Sequence, residues 1–121
     1  MRNKILTVDD SKTVRVIVKN AFKPYDCEIL EAANGVEGLA LAGKELPSLI
    51  LLDVTMPVMD GISFVRAVRA RPDGHKVPIL ILTTETKAEI KQQGKAAGAS
   101  GWIVKPFNPE MLLQVVSKLL S

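Results

Sequence analysis

The sequence predicts an α/β domain, a parallel sheet covered on both faces by right-handed crossover helices. Three observations lead there. Apolar strand-like runs alternate with helical segments five times over, the pattern of repeated strand-helix units. Two of the runs, Leu49–Leu52 and Val77–Leu82, are apolar at every position but Pro78 rather than alternating, as strands buried inside a parallel sheet are. The segments between them carry recognisable helix starts and stops.

The first strand reads Ile5-Leu6-Thr7-Val8. Ser11 can cap the helix that follows, with Val14, Ile17, Val18 and Ala21 recurring at helical spacing. Ile29-Leu30 and their flanks form the second strand. Asn34 with Glu37 resembles a capping box, for a helix ending near Gly43. Leu49–Leu52 is the third strand. Asp60-Gly61 precedes a helix with Ile62, Val65 and Val68 on one side. The fourth strand, Val77–Leu82, carries Pro78 at its start, where a strand tolerates proline. Thr86 followed by Glu89 reads as a further cap, with Gly94 and Gly98 toward the end of that helix. Trp102-Ile103-Val104 is a short fifth strand. Asn108-Pro109-Glu110 then supplies a cap, a first-turn proline and an acid at the positive end of the helix dipole. Met111, Leu112, Val115, Val116, Leu119 and Leu120 make the apolar stripe of the last helix.

At 121 residues and 47% hydrophobic content the chain fits one packed domain, residues 1–121, without repeats or a linker. No apolar run approaches the ~20 residues that span a bilayer. The start, Met1-Arg2-Asn3-Lys4-Ile5, lacks the long apolar stretch and cleavage site of a secretory signal. A cytoplasmic protein without membrane contact is the expectation. The single cysteine, Cys27, forms no internal disulfide and reads as a small core residue. His75 lies in a polar loop with no Cys or second His near it in sequence, which suits neither zinc nor a catalytic triad. The net charge of +3 is spread over separate helical faces, Lys12, Arg15 and Lys19 on one and Lys87, Lys91 and Lys95 on another. These read as solvated faces, and Trp102 has no second aromatic beside it for base stacking. Direct nucleic-acid binding is not expected.

Ligands of open α/β sheets bind at the carboxyl ends of the strands. Asp9 and Asp10 follow the first strand, Asp53 the third, Thr83 and Thr84 the fourth, and Lys105 the fifth. Singly, each has a duller reading: Asp9 could merely begin a turn, and Lys105 could be a surface lysine. As a set they place three carboxylates, hydroxyls and an ammonium on one rim. Three clustered carboxylates need a cation, and oxygen-only ligands suit a hard ion, Mg²⁺ (or Mn²⁺). With the cation bound, a carboxylate such as Asp53 can attack a phosphoryl group, while Lys105 and Thr83 meet the developing charge.

Val8-Asp9-Asp10-Ser11, Leu52-Asp53-Val54-Thr55-Met56-Pro57-Val58-Met59-Asp60-Gly61, Leu82-Thr83-Thr84 and Val104-Lys105-Pro106-Phe107 together resemble the receiver domain of bacterial response regulators, over essentially the whole chain. The resemblance implies a flavodoxin-like, doubly wound three-layer sandwich of strand order 2-1-3-4-5. It implies that Asp53 accepts a phosphoryl group from the phosphohistidine of a sensor histidine kinase or phosphotransfer protein. Asp10, Asp53 and the Thr55 carbonyl would bind Mg²⁺ directly, and Asp9 through water. Thr83 and Lys105 would contact the phosphoryl oxygens, with Thr84 beside them and a cis Lys105–Pro106 bond. Thr55 and Glu85 occupy the positions that tune hydrolysis of the acyl phosphate. Thr83 and Trp102 would form the switch, with Trp102 larger than the Tyr or Phe the family more often carries there. Output would be a changed surface of the fourth helix, fifth strand and last helix, read by a separate protein as in chemotaxis. The sequence ends at Ser121 with its last helix, so the alternative is a receiver portion of a longer regulator. Such a protein is a phosphoacceptor with slow autodephosphorylation rather than an enzyme. Two other classes fit less well. A haloacid-dehalogenase-type phosphatase puts its nucleophile in an Asp-x-Asp motif on the first strand, whereas Asp9-Asp10 are adjacent. A flavodoxin-type electron carrier needs a Ser/Thr/Gly-rich first turn.

Overall fold

The computed structural model describes residues 3–56 and 58–120; Met1, Arg2, Pro57 of the Met-Pro motif and Ser121 lie outside the described residues. Strands and helices alternate as β1 (Asn3–Val8), α1 (Lys12–Ala21), β2 (Cys27–Ala32), α2 (Gly35–Lys44), β3 (Leu49–Leu52), α3 (Gly61–Arg69), β4 (Ile79–Thr83), α4 (Ala88–Ala97), β5 (Gly101–Val104) and α5 (Pro109–Leu120). All five strands pair in parallel in one sheet of order β2-β1-β3-β4-β5. The doubly wound order implied by the resemblance is therefore the observed one.

The sheet is buried on both faces, which explains why β3 and β4 show no polar alternation. Leu6, Val8, Ile50, Leu52 and Ile79 pack with Phe64, Val65 and Val68 of α3 and Ala42 of α2. Ile5, Leu49, Leu51, Leu80 and Leu82 pack on the other side with Val18 of α1 and Leu112 and Val116 of α5. A smaller cluster joins Val54, Ile62 and Ile81 to Ile90 and Trp102, under α4.

Most helix starts are as read. Ser11 and Asn34 accept hydrogen bonds from the backbone N–H groups of Val14 and Glu37, and Asp60, a cap the sequence reading does not name, accepts from the Ser63 N–H. Asn108 accepts from Glu110 at 2.7 Å. The expected Thr86 cap is not formed. Residue Lys87 occupies the cap position of α4 without a side-chain bond, and the Glu85 carboxylate accepts from the Lys87 N–H at 2.9 Å instead. The reason lies upstream: β4 runs on to Thr83, whose hydroxyl accepts from the Glu85 N–H, so the turn is already committed and the helix starts later. The fourth strand likewise begins at Ile79 rather than Val77, because Val77 turns its carbonyl to Arg69.

Three stripe residues face outward: Ile17, Met111 and Leu120 are 39%, 43% and 37% exposed. Ile17 and Met111 each stand one position from a buried centre, Val18 and Leu112, and are turned by about 100° toward solvent, while Leu120 is the last residue of α5. Cys27 is half-buried at the edge of the core, not inside it. Arg15, read as part of a solvated face, keeps only 15% of its side-chain area exposed.

Candidate functional site

Backbone pairing at the ends of the strands sets the positions of the acids. β1 ends at Val8, yet the Asp9 N–H still donates to the Ala32 carbonyl at 3.0 Å, and the Asp53 N–H donates to the Val8 carbonyl at 3.0 Å. The two residues are thereby held side by side as extensions of neighbouring strands. Each carboxylate is then oriented locally. Asp9 Oδ1 accepts from the Ser11 N–H at 2.9 Å, and Asp53 Oδ1 accepts from the Thr55 N–H at 2.9 Å. These side-chain-to-backbone bonds are the turns that Asp favours. Asp9 and Asp53 are buried and Asp10 is exposed.

Lys105 arrives from the far edge of the sheet. Its N–H donates to the Thr83 carbonyl at 2.8 Å, and the Lys105–Pro106 bond is cis. Its Nζ donates to Asp9 Oδ2 at 2.7 Å and to Asp53 Oδ2 at 3.0 Å. One ammonium thus bridges acids from two strands. Burial pushes the Asp9 carboxyl above its ordinary range, against the pull of the Lys105 hydrogen bond and the Ser11 N–H. Burial pulls Lys105 the other way, but its hydrogen bonds and charge contacts with Asp9 and Asp53 outweigh that and hold the ammonium above its ordinary value. Both partners shifting upward is consistent: the acid is penalised by its surroundings, and the lysine is favoured by two anions.

Asp9, Asp10 and Asp53 each offer a carboxylate oxygen, all within 4.8 Å of one another. This donor set is hard, oxygen-only and open to solvent through Asp10. It fits a small divalent cation such as Mg²⁺, which keeps several waters and takes few protein carboxylates. The close approach of α3 belongs to the same architecture: a Cβ on Gly61 would lie 2.5 Å from the Asp53 carbonyl oxygen. Any side chain at residue 61 would push the helix off the acid's own backbone.

The remaining residues sit around this centre. Thr83 is buried at the end of β4, its Oγ1 accepting from the Glu85 N–H at 3.2 Å. Thr84 is exposed beside it. Exposed Thr55 and half-buried Glu85 line a groove between the loop after β3 and α4, together with Asp60, Ser63 and Arg66. Trp102 is not at the acids. Its half-buried ring lies over α4, where a Cβ on Gly94 would come within 3.0 Å of it, and its Nε1 is buried with no hydrogen-bond partner among the described residues. Bulk at Trp102 is accommodated by absence of bulk at Gly94. Lys91, Lys95 and Trp102 share a cavity along that face. Sequence reasoning missed Arg15, which reaches the carbonyl of Asp9. The spacing of basic residues along α1, with Lys12 and Lys19 exposed, carries no signal that would single it out.

Comparison with known proteins adds four findings. The family described as "Response regulator receiver domain" matches residues 5–117. The structure of chemotaxis response regulator CheY4 of Vibrio cholerae superposes with a TM-score of 0.92 and 48% identity, covering 99% of this chain and 100% of that one. The chemotaxis protein CheY homolog of Campylobacter jejuni is 40% identical over 121 residues, 98% of this chain and 92% of that protein. The sensor histidine kinase CheAY of Helicobacter pylori is 35% identical over 119 residues, which are 97% of this chain but 15% of that kinase.

Proposed function

The chain belongs to the response regulator receiver domain family of two-component systems, and from that premise we propose that it is a signalling switch whose state is set by phosphorylation of Asp53. Receiver domains of this family typically bind Mg²⁺ and interact with histidine kinases and phosphotransfer proteins. The observation that carries the reading is the Lys105 ammonium shared between Asp9 and Asp53, with Asp10 beside them. We take residues 1–121 as one receiver unit working in the cytoplasm; among the described residues no helix is long and apolar enough to cross a membrane.

In this reading a carboxylate oxygen of Asp53 attacks the phosphorus of a phosphohistidine. An O–P bond forms, the N–P bond breaks, and the departing imidazole nitrogen takes a proton. Asp10, Asp53 and the Thr55 carbonyl would hold Mg²⁺, with Asp9 acting through water, and the bound cation would supply positive charge against the phosphoryl oxygens. Lys105, already aimed at Asp53, meets the new negative charge. Thr83 turns its hydroxyl toward a phosphoryl oxygen. Exposed Thr84 borders the same space and limits its width.

Hydrolysis returns the switch: water attacks phosphorus, phosphate leaves and the Asp53 carboxylate is restored. Thr55 and Glu85 flank the approach of that water and tune its rate. Output follows from Thr83, whose carbonyl is bonded to the start of the Lys105 segment. A shift at Thr83 is passed to β5, Trp102 and the α4–β5–α5 surface, where a separate protein reads it. Lys91 and Lys95 give that surface positive charge, suited to an acidic patch on the partner.

The test uses Mg²⁺, a small phosphodonor such as acetyl phosphate, and intact mass. Wild type gains one phosphoryl group and Asp53→Asn gains none. Labelling that persists in Asp53→Asn removes Asp53 as the acceptor.

A further inference from the structure

Arg15 is a basic side chain of α1 that reaches back to the turn carrying the acids. We infer that it is a positioning residue: by holding the Asp9 carbonyl it fixes the turn from which Asp9 and Asp10 project, and so sets the affinity of the site for Mg²⁺. The inference rests on the proposed role of those acids and goes beyond it.

The geometry is specific. Arg15 Nη1 donates to the carbonyl oxygen of Asp9. That oxygen belongs to the peptide unit joining Asp9 to Asp10, just past the last residue of β1. Holding it fixes the orientation of the peptide plane between the two acids, and with it the backbone dihedrals on either side. The Asp9 N–H is already tied to Ala32 and the Asp9 carboxylate to Ser11. Arg15 closes the remaining backbone freedom of the turn. Lys could not do this and also make the second bond that Arg15 makes, from Nε to Glu31 Oε1 at 3.2 Å.

Glu31 completes the device. It stands on β2, next to Ala32, and its other oxygen lies 3.7 Å from Lys19 Nζ. Its charge keeps the guanidinium beside β2. Without Glu31, an unpaired arginine of the same reach would be drawn to the exposed Asp10 carboxylate and would occupy oxygens that a cation needs. Arg15 therefore contributes through a carbonyl and not through a carboxylate: it orients the acids without neutralising them. Lys12, Lys19 and Lys23 of the same segment are exposed and have no such contact.

The experiment measures Mg²⁺ binding by titration calorimetry on wild type, Arg15→Met, Arg15→Lys and Glu31→Gln, with folding checked by circular dichroism. Arg15→Met is expected to weaken Mg²⁺ binding about tenfold, which corresponds to about 1.4 kcal/mol. Arg15→Lys keeps one donor for the carbonyl and stays within about threefold of wild type, and Glu31→Gln falls between the two. Phosphorylation of Asp53 by acetyl phosphate should be slow in Arg15→Met at limiting Mg²⁺ and return to the wild-type rate at saturation. A merely structural arginine gives a different result: a lower melting temperature with unchanged Mg²⁺ affinity in folded protein, and that outcome overturns the inference. A rate that stays low at saturating Mg²⁺ overturns it too. Wild type that binds no Mg²⁺ and takes up no phosphate overturns the proposed function, and the role of Arg15 with it.

Discussion

Replacing Lys105 with Met removes the ammonium and keeps a stem of similar length. The Nζ lies 2.7 Å from Asp9 and 3.0 Å from Asp53, in side chains that are 12%, 3% and 8% exposed. At an effective dielectric near 20 the two attractions are about 6 and about 5.5 kcal/mol gross. Desolvation of the three groups opposes most of that, and removing one partner of a buried pair typically costs about 3–5 kcal/mol. The rim is open at Asp10, so water and protonation of Asp9 relieve part of the loss. The expected net destabilisation without Mg²⁺ is about 2–3 kcal/mol, or roughly 10 °C in melting temperature for a domain of this size. The sign with Mg²⁺ is opposite. Lys105 and a cation at this site would compete for the carboxylates of Asp9 and Asp53, so Lys105→Met should bind Mg²⁺ about tenfold more tightly. Thermal melts and calorimetry, each with and without Mg²⁺, test both halves. A variant as stable as wild type without Mg²⁺, and no tighter in binding it, would refute the reasoning.

Three further perturbations follow from contacts outside the acids. The Arg69 guanidinium donates to the carbonyls of Gly98 at 3.0 and 2.8 Å, of Gly74 at 2.6 Å and of Val77 at 2.7 Å; Arg69→Met should cost about 3 kcal/mol in urea unfolding, and a loss under about 1 kcal/mol would show these bonds to be replaceable by water. Val58 has φ 73 and is 79% exposed, a β-branched residue in left-handed backbone with little packing to lose; Val58→Gly should stabilise by about 0.5–1 kcal/mol, and any destabilisation in the same assay would refute the strain. The Ser63 backbone N–H, the largest influence, holds the Asp60 carboxyl below its ordinary value of 3.8. A depressed folded value means the stabilisation is present above the unfolded value and is lost as pH falls through the folded one. Asp60→Ala should therefore cost about 1 kcal/mol near neutral pH, with the gap to wild type closing below about pH 4; a gap independent of pH would show that the charge contributes nothing.

What could be read from the sequence, and what could not, divides along a physical line. Asp9, Asp53, Thr83 and Lys105 each follow an apolar run directly, and the end of a buried parallel strand is a rim position whatever the rest of the chain does. The alternation of strands and helices, and the caps at Ser11, Asn34 and Asn108, are equally local. Errors arose where a tertiary demand overrode a local signal. Thr86 has the spacing of a cap, but the Thr83–Glu85 turn had already fixed where α4 could begin. Val77 continues an apolar run, yet its carbonyl is used by Arg69 on α3.

Arg15 and Arg69 mark the harder limit. Both sit in helices whose other basic residues are largely solvated, and nothing in the spacing of charges distinguishes them. Each serves backbone carbonyls left over where a strand or helix stops: Asp9 after β1, Gly98 after α4. Such orphan acceptors are a necessary consequence of ending an element, but the sequence does not say which distant donor will reach them. The acids, hydroxyl and ammonium of the candidate site are therefore the easier part to find, because they stand at the ends of the elements that carry them. The residues that fix their mutual distances lie one helix away and are found only when the carbonyls are followed to their donors.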